Sequence, residues 1–187
     1  MIVYTIGHST HPLDEFIATL QSYHVRLLVD VRTVPRSRHT PQFNSPELAA
    51  SLAERDIDYL HLSELGGLRH AHQDSVNTGW RNASFRGYAD HMQTAQFAAG
   101  VDRLVRLAGL CTTAIMCAEA VPWRCHRSLI GDALLVRGIE VRDIMDATHW
   151  RPESLTTFAR VAGTDIRYPA PDELEPPGSA KPPGSAE

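Results

Sequence analysis

The stretch Ala114-Ile115-Met116-Cys117-Ala118-Glu119-Ala120-Val121-Pro122-Trp123-Arg124-Cys125-His126-Arg127 joins a short apolar run that reads as a strand to an amphipathic run, Ser128 to Val136, that reads as a helix. A strand passing through a loop into a helix is the repeating unit of an open α/β sheet, and the loop at the strand's C-terminal end is where such folds put their chemistry. Here that loop carries two of the three cysteines, a carboxylate, two arginines and a histidine.

On either side of this unit the same alternation recurs. Short β-branched runs at Ile2 to Ile6, Leu27 to Val31, Tyr59 to Leu62, Ala114 to Cys117 and Val141 to Met145 are bounded by turn formers and are too short for buried helices. Between them, Pro12 to Tyr23 places Leu13, Phe16, Ile17 and Leu20 at helical spacing, and Ser45 to Arg55 places Leu48 and Leu52 on one face after a Ser-Pro start. Ser84 to Leu107 reads as a longer helical region with a break near Thr94, and the helix after the cysteines stops at Gly138. A last helical pattern, Pro152 to Val161, is expected to cap the sheet. The fold class predicted is α/β: a single three-layer domain over residues 1–168, with a mainly parallel five-stranded sheet and helices on both faces. From residue 169 to 187 the composition turns to proline, glycine, serine and alanine, including two copies of Pro-Pro-Gly-Ser-Ala, and a disordered tail is expected.

Composition narrows the function classes. The apolar fraction of 43% is ordinary for a globular chain. No run approaches the roughly 18 apolar residues that span a bilayer, and Met1 leads straight into a strand with no basic leader, so a cytoplasmic protein without a membrane partner is expected. Three cysteines do not make a disulfide framework and suit a reducing compartment. A net charge of −4 gives no global attraction to nucleic acid, yet seventeen of the eighteen basic residues are arginines, whose planar forks suit carboxylate or phosphate. A GC-rich genome produces the same bias.

A parallel sheet gathers all strand C-termini on one edge. That edge collects Gly7, His8 and Ser9 after the first strand, Arg32 and Arg36 after the second, Gly66, Gly67 and the Arg69 to Arg81 loop after the third, and the cysteine loop after the fourth. The opposite edge, at Asp56, Asp58, Gly109 and Glu140, is plain. An anion-accepting pocket at the C-terminal edge follows. Cys125 sits at the start of a helix beside Arg124, His126 and Arg127, where dipole and cations favour a thiolate. Cys117 reads as a second thiol, a resolving partner or an apolar filler. Glu119 reads as an acid or base, or as the partner of an arginine. Asp30, in an apolar strand, needs a hydrogen-bond partner and is expected to anchor a loop.

These residues resemble a family known as domain of unknown function 488. The matching stretches are Tyr4-Thr5-Ile6-Gly7-His8-Ser9, Val29-Asp30-Val31-Arg32 with Pro35-Arg36-Ser37, Pro41-Gln42-Phe43-Asn44, Leu65-Gly66-Gly67, Gly79-Trp80-Arg81-Asn82, Phe85-Arg86-Gly87-Tyr88-Ala89, Met116-Cys117-Ala118-Glu119 and Cys125-His126-Arg127. The resemblance implies a conserved cysteine pair and a suspected enzymatic role, with no known reaction or cofactor. More weakly, the Val29 to Arg32 strand and a cysteine at a later strand end are similar to rhodanese-like sulfurtransferases and related phosphatases, in which a thiolate lies in a loop of amides. The spacing from Cys117 to Arg124 is one residue longer than the compact Cys-x5-Arg cradle, and Pro122 removes an amide donor.

Three readings of the chemistry result. In the first, a cysteine-dependent transferase or hydrolase acts on a small anionic or nucleotide-like substrate. Its catalytic set is Cys125, Cys117, Glu119 and His8, and its binding set is Gly7, Ser9, Arg32, Arg36, Arg81, Arg124, His126 and Arg127. In the second, Arg36, Arg38, Arg69, Arg81 and Arg86 track the phosphates of a nucleic acid, as in DNA repair, while Trp80 or Trp123 stacks a base. The third is a metal-binding protein using Cys117, Cys125 and His126, with His8 as a candidate to join them. No metal ligand is assigned, because neighbours such as Cys125 and His126 rarely reach one ion together. Cofactor, substrate and oligomeric state are not specified by the sequence.

Overall fold

The structure, a computed structural model, describes residues 1–171, so most of the tail expected from residue 169 lies outside the described residues. Five strands run parallel: β1 (Ile2–Gly7), β2 (Leu27–Asp30), β3 (Asp58–His61), β4 (Thr113–Cys117) and β5 (Glu140–Ile144). Each lies within a residue or two of its expected place. Their order is β3-β2-β4-β1-β5, and a sixth strand, β6 (Trp150–Pro152), adds antiparallel to β5 at the edge.

The sheet is therefore six-stranded, and the helix expected over Pro152 to Val161 does not form. Pro152 lacks an amide proton and holds the residue before it extended, which fits an edge strand and opposes a helix. The Arg142 guanidinium, across from Pro152, lies 4.1 Å above the Trp150 ring and fastens the pair. Farther on, β7 (Arg160–Ala162) and β8 (Asp165–Arg167) form a hairpin around Gly163, whose φ of +64° suits a residue without a Cβ.

Alternation along each strand divides the core in two. Val3, Leu27, Val29, Ile115 and Val141 pack with α3 (Ala83–His91), α4 (Ala95–Ala108) and α5 (Arg127–Leu135). Ile6, Leu28, Ala114, Met116 and Ile144 pack with α1 (Leu13–Ser22) and α2 (Ser45–Ala53) on the other face. Burying each of the valine, leucine, isoleucine and methionine side chains contributes about 1.5–3 kcal/mol. The expected break in the long helical region falls at Thr94, whose hydroxyl accepts from the Phe97 amide and caps α4. Past α5, the Gly138 amide bonds the Leu135 carbonyl and the Ile139 amide that of Leu134, with Gly138 at φ +73°, a Schellman ending.

This topology sets the site. The connections after β1 and β2 cross on the α1/α2 face towards β3, whereas those after β3 and β4 cross on the opposite face towards β5, as right-handed crossovers demand. Loops leaving β2 and β4 consequently part to opposite faces, and the sheet opens a crevice at their C-terminal ends.

Candidate functional site

β4 ends at Cys117, and the exposed residues Ala118 to Ala120 lead to a 3-10 turn at Pro122–Arg124. Cys125 is extended (φ −125°, ψ 146°), and His126 then turns to a helical φ of −57° at the head of α5. That change of direction between two neighbours brings their side chains together. The Cys125 Sγ lies 3.6 Å, and the Cys117 Sγ 4.0 Å, from Nδ1 of His126. The three ligand atoms lie within 4.8 Å of one another. Adjacency in sequence is thus no obstacle to Cys125 and His126 facing one point.

The other imidazole nitrogen, Nε2, is 2.9 Å from the carbonyl oxygen of Val31, the residue after β2. A carbonyl only accepts, so Nε2 carries the proton and Nδ1 presents its lone pair to the two sulfurs. The ring lies against Tyr88, centroids 5.0 Å apart, and over Gly67, where a Cβ would overlap the imidazole. Tyr88 is fully buried and its hydroxyl donates to the Leu65 carbonyl at 2.9 Å. A pocket of about 180 Å³ opens over the group, walled by Gly67, Ser84, Phe85, Tyr88, Cys117, Glu119, Arg124, Cys125 and His126.

The two thiols differ in acidity. Partnership with Cys125 first, and burial second, push the Cys117 thiol up to about 12. The Cys117 S–H bond in turn lowers Cys125 to about 6, against burial and with help from the charge and backbone amide of Arg127. Cys125 is therefore the more acidic of the two thiols.

Beneath the pocket stand the residues that hold the loop. Gly7 packs so closely under it that a Cβ there would overlap the Glu119 carbonyl, and the amides of His8 and Ser9 bond the carbonyls of Cys117 and Ala118, each at 3.0 Å. Arg127 is 1% exposed and donates to the Glu119 carbonyl at 2.7 Å and to the Thr5 hydroxyl at 2.8 Å, which itself donates to Asp143 at 2.7 Å. Arg32 forks onto Asp30 and also donates to the Phe43 carbonyl at 2.7 Å, while Asp30 further accepts from Tyr59 at 2.7 Å. His8 donates from Nδ1 to the Ser9 carbonyl, accepts from Arg32 at Nε2 and stacks on Phe43. Burial lowers it to about 4, so it is neutral.

The sequence-predicted residues thus fall into three places. Cys117, Cys125, His126, Glu119 and Arg124 wall the pocket. Gly7, His8, Ser9, Arg32 and Arg127 are not among its walls and support the loop instead: the side chains of His8, Arg32 and Arg127 are bonded within the protein, and the Ser9 amide bonds the Ala118 carbonyl. Arg36 and Arg81 are exposed and are not among the pocket's walls. Of the tryptophans offered as stacking platforms, Trp80 is packed among Phe85, Phe158 and Tyr168, while Trp123 is exposed with the Arg151 guanidinium 4.8 Å above it. Gly67, Ser84, Phe85 and Tyr88 carried no site assignment. The loop that leads to them is held by Asp90 on α3, which accepts from the His72 amide, Ser75 and Asn77. Although burial pushes the Asp90 carboxyl up, these donors bring it below its ordinary value.

An α/β domain with a soft-ligand group at a sheet crevice is the class that fold and site define. The model of the family described as "Domain of unknown function DUF488" matches residues 12–134, well over half the chain, and the protein belongs to that family. No curated protein and no solved structure matches the chain. No helix among the described residues is long and apolar enough to cross a membrane.

Proposed function

We propose that the protein is a metal-dependent enzyme whose centre is a zinc- or iron-class cation held by Sγ of Cys117, Sγ of Cys125 and Nδ1 of His126. The observation that carries this reading is the hydrogen bond from His126 Nε2 to the Val31 carbonyl, which turns a lone pair onto two sulfurs. Metal-ligating histidines commonly donate their second nitrogen to a carbonyl or carboxylate. Bonds of about 2.3 Å to sulfur and about 2.0–2.1 Å to nitrogen at tetrahedral angles separate S and N by about 3.5 Å. The distances of 3.6 and 4.0 Å need only a small contraction. A pocket of about 180 Å³ admits only a small molecule. The test is metal content: protein loaded with Zn²⁺ and passed through buffer should retain one equivalent, and Cys117→Ala and His126→Ala variants should not. Wild-type protein that retains none sinks the reading.

A second reading rests on the lowered Cys125 thiol. Without metal, Cys125 would serve as a nucleophile, with Cys117 as its proton donor. Rapid alkylation of Cys125 near pH 6 in protein as isolated, free of metal, favours this alternative, whereas protection lifted only by a chelator favours the metal centre.

A further inference from the structure

Resting on the metal reading above, we infer that the centre keeps its fourth coordination position open to the pocket, where it takes a small oxyanion as an exchangeable ligand, paired with Arg124. Structural zinc sites close the tetrahedron with four protein ligands, while sites that work on substrates supply three and leave one position free. Among the described residues, the histidine, cysteine and carboxylate ligands that converge here are three. Glu119 walls the same pocket, yet its carboxylate is not part of the converging group, and its Oε1 accepts from the Val121 amide at 3.3 Å, which turns it back onto its own loop. The fourth direction therefore meets the pocket rather than a side-chain ligand.

Charge selects what enters. Two thiolates and a neutral imidazole cancel a divalent cation, so the loaded centre has no net charge with which to hold an anion at a distance. Arg124 supplies it. Arg124 is a wall of the pocket and is exposed, and its guanidinium makes no hydrogen bond or ion pair among the described residues, Glu119 included. This contrasts with Arg32 and Arg127, whose forks are turned to Asp30, Thr5 and the Glu119 carbonyl. A free planar fork on a residue that walls the same pocket fits a carboxylate or phosphate, one oxygen on the cation and another on the guanidinium. The remaining walls, Gly67, Ser84, Phe85 and Tyr88, are small or aromatic and leave room for a compact molecule.

The experiment uses full-length protein loaded with Co²⁺ under reducing conditions, with the sulfur-to-cobalt charge-transfer band and the visible ligand-field bands recorded while acetate or inorganic phosphate is added. The expected result is a saturable change in the ligand-field bands with the charge-transfer band retained, and a midpoint raised at least about tenfold in Arg124→Ala. A charge-transfer band with ligand-field bands that neither anion moves means a closed fourth position, and overturns this inference while the metal centre stands. The same midpoint in Arg124→Ala removes Arg124 from the site and overturns the pairing. No charge-transfer band at all overturns the metal reading itself.

Discussion

His126 Nε2 donates to the carbonyl oxygen of Val31 across 2.9 Å, tying the head of α5 to the end of β2 through the crevice of the sheet. One bond fixes both the orientation of the ring and its tautomer. His126→Ala removes the nitrogen ligand and this tie together. Zinc affinity should fall by more than about 100-fold, since loss of outer-shell partners alone costs 10–100-fold. The fold should lose only about 1 kcal/mol. Competition against a chelating dye and urea unfolding measure the two, and undiminished affinity would show that the imidazole is not a ligand.

Gly67 owes its identity to the same ring. A Cβ there would overlap the imidazole, which Tyr88 prevents from retreating. Gly67→Ala should destabilise the protein by about 1–3 kcal/mol, the usual effect of overpacking, and weaken zinc binding together with stability. Because the exposed Leu68 carries no such constraint, Leu68→Ala is the control and should leave both within about 0.5 kcal/mol. Equal behaviour of the two variants would count against the close approach.

Much of this was legible in the residues, for identifiable reasons. Apolar runs of four to six residues gave β1 to β5, and the spacing of Phe16, Ile17 and Leu20 gave α1, because both patterns are local. β6 escaped because three residues, one of them proline, make no periodic signal, and an edge strand is decided by its partner β5. At the site, Cys117, Glu119, Arg124, Cys125 and His126 stood out because one loop carries them all. What did not show was their convergence. The backbone reversal between Cys125 and His126 has no residue signature, and the Val31 carbonyl has no side chain to announce it. His8 and Arg32 were seen, but whether a polar side chain at a strand end faces a pocket or its neighbours is settled by distant partners such as Phe43.

Arg127 connects the cysteine loop to the interior. Its guanidinium donates to the Glu119 carbonyl and to Thr5, which donates to the buried Asp143. Arg127→Met keeps the volume and removes the charge, leaving Asp143 uncompensated. A loss of about 3–5 kcal/mol is expected, as for other broken buried charge networks. Adding Asp143→Asn should recover part of it, because the uncompensated charge is then gone. A double variant no more stable than Arg127→Met would mean that the two residues act independently.

The buried carboxyl of Glu153 makes stability depend on pH. Burial first, then the neighbouring charges of Asp143 and Asp132, raise it from 4.5 to about 9, against the opposing pull of Arg127. The folded protein thus keeps a proton that the unfolded chain gives up above its ordinary value. Between these two values folding takes up a proton, so the contribution is fully present below about pH 4.5 and is lost as pH rises through about 9. Asp132 and Asp143 are pushed up by burial as well and slope the same way. Glu153→Gln preserves the shape of the neutral acid and titrates nowhere. The Cys125 thiol, lowered from 9.0 to about 6, slopes the opposite way over the same range but is common to both proteins. Urea unfolding at pH 6 and pH 8.5 should therefore show Glu153→Gln gaining stability relative to the wild type as pH rises, because only the wild type loses the Glu153 contribution. Identical slopes in both proteins would mean that Glu153 is ionised in the fold, and that its carboxylate is paired.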